Sequence, residues 1–80
     1  MAHFAKVDSG IVRQVIVVSN DDCGGGAFPA SEPVGQAFIA ACGLGGQWLQ
    51  CSYSASFRGA YPGPGWTYDA KADEFKEPQP

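Results

Sequence analysis

The sequence predicts a small α+β domain, an antiparallel sheet built from hairpins with one helix packed on a face. Three observations predict it. A β-branched run at residues 11–18 follows a turn sequence, Asp8-Ser9-Gly10. One segment carries apolar residues at helical spacing, between a serine at its start and a glycine at its end. Two further short strand-like segments flank Ala70-Lys71-Ala72-Asp73. Local hairpins and a single helix pack most simply as one sheet with the helix laid across it.

The first hairpin joins residues 3–7 to residues 11–18, with Gly10 free to take a positive φ in the turn. Ile11, Arg13, Val15 and Val17 share one face of the second strand, and Val12, Gln14, Ile16 and Val18 share the other. Both faces turn apolar by Val15, as expected of a strand covered on both sides or of one covered by another subunit. Ser19-Asn20-Asp21-Asp22 ends the strand, and Cys23-Gly24-Gly25-Gly26 opens a connection that is mobile unless pinned. The glycines lack the Gly-Lys-Ser/Thr ending of a phosphate-cradling loop.

Ser31-Glu32-Pro33 reads as a helix start, with Ser31 as N-cap and an acid in the first turn. The helix runs to about Cys42. Val34, Ala37, Phe38 and Ala41 form its apolar stripe, and Gly43 supplies the stop. Small residues Gly35, Ala37, Ala40 and Ala41 allow close approach to the sheet. Residues 47–53 form a third strand, rich in aromatic and sulfur side chains. After the turn-rich Tyr61-Pro62-Gly63-Pro64-Gly65, residues 66–69 and 74–76 make the last hairpin. The domain is expected to span residues 1–76, with 77–80 as an extended proline-containing tail. Val15, Val17, Phe38 and Trp48 are expected in the core.

A chain of 80 residues has room for one modest core. It buries only about 60% of its unfolded surface, so disulfides, a metal or assembly would help it. Three cysteines, Cys23, Cys42 and Cys51, leave one unpaired, and the pattern fits a reducing, cytosolic origin. Cys42 and Cys51 are expected as small buried hydrophobes. No metal-ligand spacing involves the single histidine, His3, and Asp21, Asp22, Asp69 and Asp73 do not match a calcium loop. Assembly is the expected stabiliser. The net charge of −3 and the scattered cations Lys6, Arg13, Arg58, Lys71 and Lys76 argue against direct nucleic-acid binding. No apolar run approaches the roughly 18 residues of a membrane span, and the N-terminus lacks the blocks of a signal peptide.

No catalytic, cofactor or metal residue is expected, and the chain is not expected to be an enzyme: no nucleophile with a base and no pair of tuned carboxylates stands out. The aromatic side chains Trp48, Tyr53, Phe57, Tyr61, Trp66, Tyr68 and Phe75 are too many for so small a core to hide entirely. Exposed Tyr and Trp anchor protein interfaces, and Arg58 among them reads as an interface anchor or a solvated loop arginine. The candidate interface is Phe57, Arg58, Tyr61, Trp66, Tyr68 and Pro78.

Several segments, in order, carry a resemblance: Met1-Ala2-His3-Phe4-Ala5-Lys6, Gln14-Val15-Ile16-Val17-Val18-Ser19-Asn20-Asp21-Asp22-Cys23, Ser52-Tyr53 and Phe57-Arg58-Gly59. Tyr61, Gly63, Gly65, Thr67-Tyr68-Asp69, Phe75 and Pro78-Gln79-Pro80 continue it. Together they resemble short virion structural proteins of tailed bacteriophages, particularly marine and cyanophage-like ones. The chain departs from them at Gly24-Gly25-Gly26, where an acidic, Asn/Gly-containing insertion is expected, and at Pro62 and Pro64. The resemblance implies a virion protein assembled in the bacterial host cytoplasm. Its implied partners are the major capsid protein or other virion proteins, and copies of itself. Capsid decoration or cement is the first placement implied, and a tail fibre-associated or baseplate component the second. A host-acting inhibitor made during infection is a third reading.

Overall fold

The computed structural model describes residues 1–78. Five strands, β1 (Ala2–Asp8), β2 (Ile11–Val18), β3 (Gln47–Cys51), β4 (Thr67–Asp69) and β5 (Glu74–Lys76), form one antiparallel sheet in the order β3-β1-β2-β4-β5. One helix, α1 (Ser31–Ala41), packs on a face of it, and a short 3-10 turn at Asp21–Cys23 links β2 towards that helix. The expected α+β fold class is the observed one. The last two residues of the expected tail, Gln79 and Pro80, lie outside the described residues.

The first hairpin closes through a two-residue turn in which Ser9 and Gly10 both have positive φ, 53° and 77°. Such a turn matches the right-handed twist of the strands it joins. The pairing then carries one irregularity: Lys6 faces Gln14 and Val7 faces Val12, leaving Arg13 without a partner. The extra residue shifts the alternation. Val12 therefore joins Val15 on the face it was expected to oppose, within the cluster of Ala5, Val7, Leu49, Cys51 and Phe75.

The sheet is covered on both sides. On the helix side, Ala2, Phe4, Val18 and Trp48 pack with Cys23 and Ile39. On the other side, Tyr61, Trp66 and Tyr68 lie over Ala5, Val7, Val12 and Leu49. Trp48 is buried as expected, and Val15 packs half-buried against the second cluster. Val17 is 51% exposed, contrary to expectation, because the covering loop and hairpin stop short of the end of β2.

The helix also presents a different face from the expected one. Ser31, Gly35 and Ile39 are buried, whereas Val34 and Phe38 lie on the outside with Ala37 and Ala41. The reason is steric. Phe4 is fully buried and its ring runs under Gly35, where a Cβ would stand 2.3 Å from Cζ. Only the glycine face lets the helix settle on that ring. Ser31 is correspondingly not the N-cap: Ala30 holds that position, and the Ser31 hydroxyl donates to Gln50 Oε1 at 2.7 Å.

Two other expectations change with context. The triple glycine is held at its start, since Gly24 N–H donates to Asp21 O and Gly25 N–H to Asn20 O. Cys42 is exposed just past the helix, while Cys23 and Cys51 are buried. The third strand stops at Cys51 because Ser52 turns the chain: its Oγ accepts from Ser56 N–H at 3.0 Å.

Candidate functional site

The loop of residues 52–66 between β3 and β4 carries most of the expected interface, and Arg58 organises it. Arg58 sits at φ 57°, followed by Gly59 at φ 81°, and its carbonyl accepts from Phe75 N–H at 3.0 Å. Its side chain is only 9% exposed. The guanidinium grips Glu32 through Nη1 to Oε2 and through Nη2 to Oε1 at 3.3 Å. Nη1 also donates to Gln50 O at 2.9 Å, and Nε donates to Asp73 Oδ1 at 2.9 Å. One side chain thus ties α1, β3 and the β4–β5 turn together. Phe28 lies beneath the guanidinium at 5.2 Å and stacks on Phe57 with ring centres 3.8 Å apart.

Charges inside this clamp support one another. Burial pulls the Arg58 pKa down, and the hydrogen bonds and charges of Glu32 and Asp73 more than offset it, leaving it above its ordinary value. The Tyr68 hydroxyl donates to Asp73 Oδ1 at 2.5 Å, and this bond with that from Arg58 holds the Asp73 carboxyl below its usual range. Tyr68 is pushed up, first by burial and then by Asp73.

The same groups close the outer edge of β3. Trp48 and Gln50 direct their backbone groups away from β1, and side chains meet them there. Gln36 Nε2 donates to Trp48 O at 2.6 Å, Gln50 N–H donates to Glu32 Oε2 at 2.8 Å, and Arg58 supplies Gln50 O. An edge that would invite another strand is sealed by side chains.

At the end of the sheet where β1 begins and β3 ends, a cleft of about 250 Å³ opens beside this loop, lined among others by Met1, His3, Cys51, Tyr53 and Phe57. His3 and Cys51 face each other across β1 and β3. His3 stacks on Tyr53 at 5.5 Å, and Tyr61 meets both rings edge-on at 5.4 and 5.2 Å. A cysteine near a histidine suggests nucleophilic chemistry, but the environment opposes it. Burial pushes the Cys51 thiol up to about 12, while burial and the nearby N-terminal ammonium lower His3. Both shifts favour the neutral form of the group. The cleft offers aromatic contact and hydroxyl groups, not a thiolate.

No family model, curated protein or solved structure matches this chain.

The six expected interface residues are brought only partly together. Tyr61, Trp66 and Tyr68 pack over the face of the sheet opposite the helix, whereas Phe57 and Arg58 sit against Phe28, Glu32 and the edge of β3. All five are half-buried, and Pro78 is exposed beyond β5. Arg58 is neither a solvated loop residue nor an outward anchor, because its charge is consumed within the fold. The most exposed ring of the cluster is Tyr53, at 73%. Sequence reasoning missed the roles of Glu32, Gln36 and Asp73. Glu32 lies 26 residues from Arg58, a separation that no local pattern reports.

Proposed function

We propose that this chain is a structural assembly protein of a bacteriophage virion, seated on the capsid shell as a decoration or cement protein. The observation that carries the reading is apolar exposure on both faces of an otherwise well-closed domain. Val34 and Phe38 stand on the outer side of α1 with Leu44 just beyond it, and Tyr53, at the rim of the cleft, packs exposed against His3 and Tyr61 of the opposite face. The accessible surface, 4635 Å², is close to the roughly 4600 Å² that a compact monomer of this mass shows. The exposed groups are therefore not a symptom of loose folding. A small domain clamped between neighbouring shell subunits needs contact surfaces on more than one side. The virion expectation drawn from the sequence segments agrees with this reading, and the shifts that disfavour a Cys51 thiolate lend no support to catalysis.

Quantitative mass spectrometry of purified particles tests it. A copy number near that of the major shell subunit is the expected result. A number far below it moves the protein to the tail, as a fibre-associated or baseplate component. Absence from particles overturns the virion reading and leaves a host-acting inhibitor.

A further inference from the structure

The two margins of the long β-strands are treated differently. The outer edge of β3 is sealed by Glu32, Gln36 and Arg58. The outer edge of β2 is bonded only at its start. Tyr68 N–H donates to Gly10 O at 2.8 Å, Val12 N–H to Trp66 O at 2.7 Å, and Gly65 N–H to Val12 O at 2.8 Å. Ile11 is the one β2 residue in register with β4. Among the described residues, nothing bonds this edge from residue 13 to residue 18. At about 3.3 Å per residue, that is roughly 20 Å of open strand.

Sheet proteins usually blunt such an edge with lysine, proline, an inward charge or a bulge. Here the bulge and the charge of Arg13 sit only at the start of the stretch. Gln14-Val15-Ile16-Val17-Val18 beyond it contains no lysine, proline or charge, and Val17 is half exposed. A fold that seals one edge with several side chains and leaves the other bare is built to pair there.

We propose that β2 pairs antiparallel with β2 of a second copy, joining two sheets across a two-fold axis. Charge selects both the occupant and the direction. The strand carries Arg13 near one end and Asp21 and Asp22 just past the other, all exposed. Antiparallel pairing brings Arg13 of each copy beside the acids of the other, twice. Parallel pairing would set like charges together. Arg13 is available for this role, because its contact with Asp8 is 3.9 Å long and both side chains are more than half exposed. With Val17 on the two-fold axis, each Arg13 points towards the 3-10 turn of the other copy that carries Asp21 and Asp22, and Val17 stands opposite its own copy, a β-branched cross-strand pair. This pairing holds whatever the placement in a virion.

Sedimentation equilibrium of the full chain, from micromolar to millimolar concentration, tests the proposal. The expected result is a monomer–dimer equilibrium. Val17→Lys and Arg13→Glu should each weaken it by about tenfold or more, as charge-complementary interfaces do when a contact is reversed. Arg13→Glu combined with Asp21→Lys should restore it. Because these positions are exposed, circular dichroism should show the folded spectrum in every variant. Oxidation of Val17→Cys in a Cys42→Ser background should give a covalent dimer, since facing residues on paired strands lie within disulfide reach. A chain that stays monomeric throughout, including one that instead captures an extended peptide of another protein, overturns the proposal. So does a dimer indifferent to Val17→Lys or not restored by the charge swap.

Discussion

Replacing a helical glycine by alanine normally stabilises a protein by about 0.5–1 kcal/mol, because glycine loses the most backbone freedom on folding. Gly35→Ala should do the reverse. The new methyl carbon would lie 2.3 Å from Phe4 Cζ, 2.7 Å from Phe4 Cε1 and 2.9 Å from Cys23 Sγ. Ordinary carbon contacts begin near 3.5 Å, so the ring or the helix must move by about 1 Å. Phe4 is fully buried and Cys23 is 2% exposed, so neither can swing into solvent. Overpacking of this kind costs about 1–3 kcal/mol, and the upper end applies where three contacts are violated together. Against the propensity gain, the net loss is about 2 kcal/mol. For a domain this small, that lowers Tm by roughly 8–16 °C. Urea unfolding followed by tryptophan fluorescence would report it, since Trp48 belongs to the same cluster. The slope should stay unchanged while the midpoint falls. Ala37→Gly, on the exposed side of α1, is the control and should lose about 0.5–1 kcal/mol. If Gly35→Ala proves as stable as the parent or more so, the helix does not rest on Phe4 and the packing argument is wrong.

Ile39→Ala should cost about 2–5 kcal/mol, and Phe38→Ala at least about 1 kcal/mol less, because Ile39 is 1% exposed and Phe38 36%; equal losses would return the helix to its other face. Arg58→Ala should cost about 3 kcal/mol by stranding Glu32 and Gln50 O, whereas Asp73→Asn, at an exposed carboxylate, should cost less than about 1 kcal/mol. Denaturation curves of the two variants side by side would decide this, and a harmless Arg58→Ala would remove the clamp from the account. One thiol of three should react promptly with a thiol reagent at pH 8, and Cys42→Ser should abolish that reaction. The buried Cys51 thiol has a folded pKa of about 12, above its ordinary 9.0. Its contribution to stability is therefore complete below pH 9 and lost as the pH rises towards 12, amounting to at most about 4 kcal/mol. Cys51→Ala should flatten the alkaline limb of the stability profile, and an unchanged limb would show that the thiol is not the group responsible.

What the sequence revealed was local. Ser9-Gly10 marks a turn because its backbone demands are met by those residues, and Val15 to Val18 marks a strand because β-branching suits an extended chain. The span of α1 was legible from its spacing and its glycine stop. Its buried face was not, because hydrophobic periodicity favours the larger stripe of Val34 and Phe38, while the packing was decided by the one position small enough for the Phe4 ring. The extra residue at Arg13 likewise leaves no trace in composition, yet it moves Val12 to the other face. The candidate site divides along the same line. Its aromatic content was visible, but the inward turn of Arg58 depends on Glu32 and Asp73, 26 and 15 residues away. Long-range ion pairs are a property of the assembled fold.

Hydrogen exchange of the amides in β2 and β3, followed as the protein concentration is raised, tests most directly whether the open edge is where this domain assembles. The amides of β3 should be protected at every concentration, since Glu32 and its neighbours already close that edge. Outward-facing amides at residues 13–18 should exchange fast in dilute solution and slow progressively as copies pair. Exchange at residues 13–18 that ignores concentration, over a range where sedimentation shows association, would place the contact elsewhere and contradict the account.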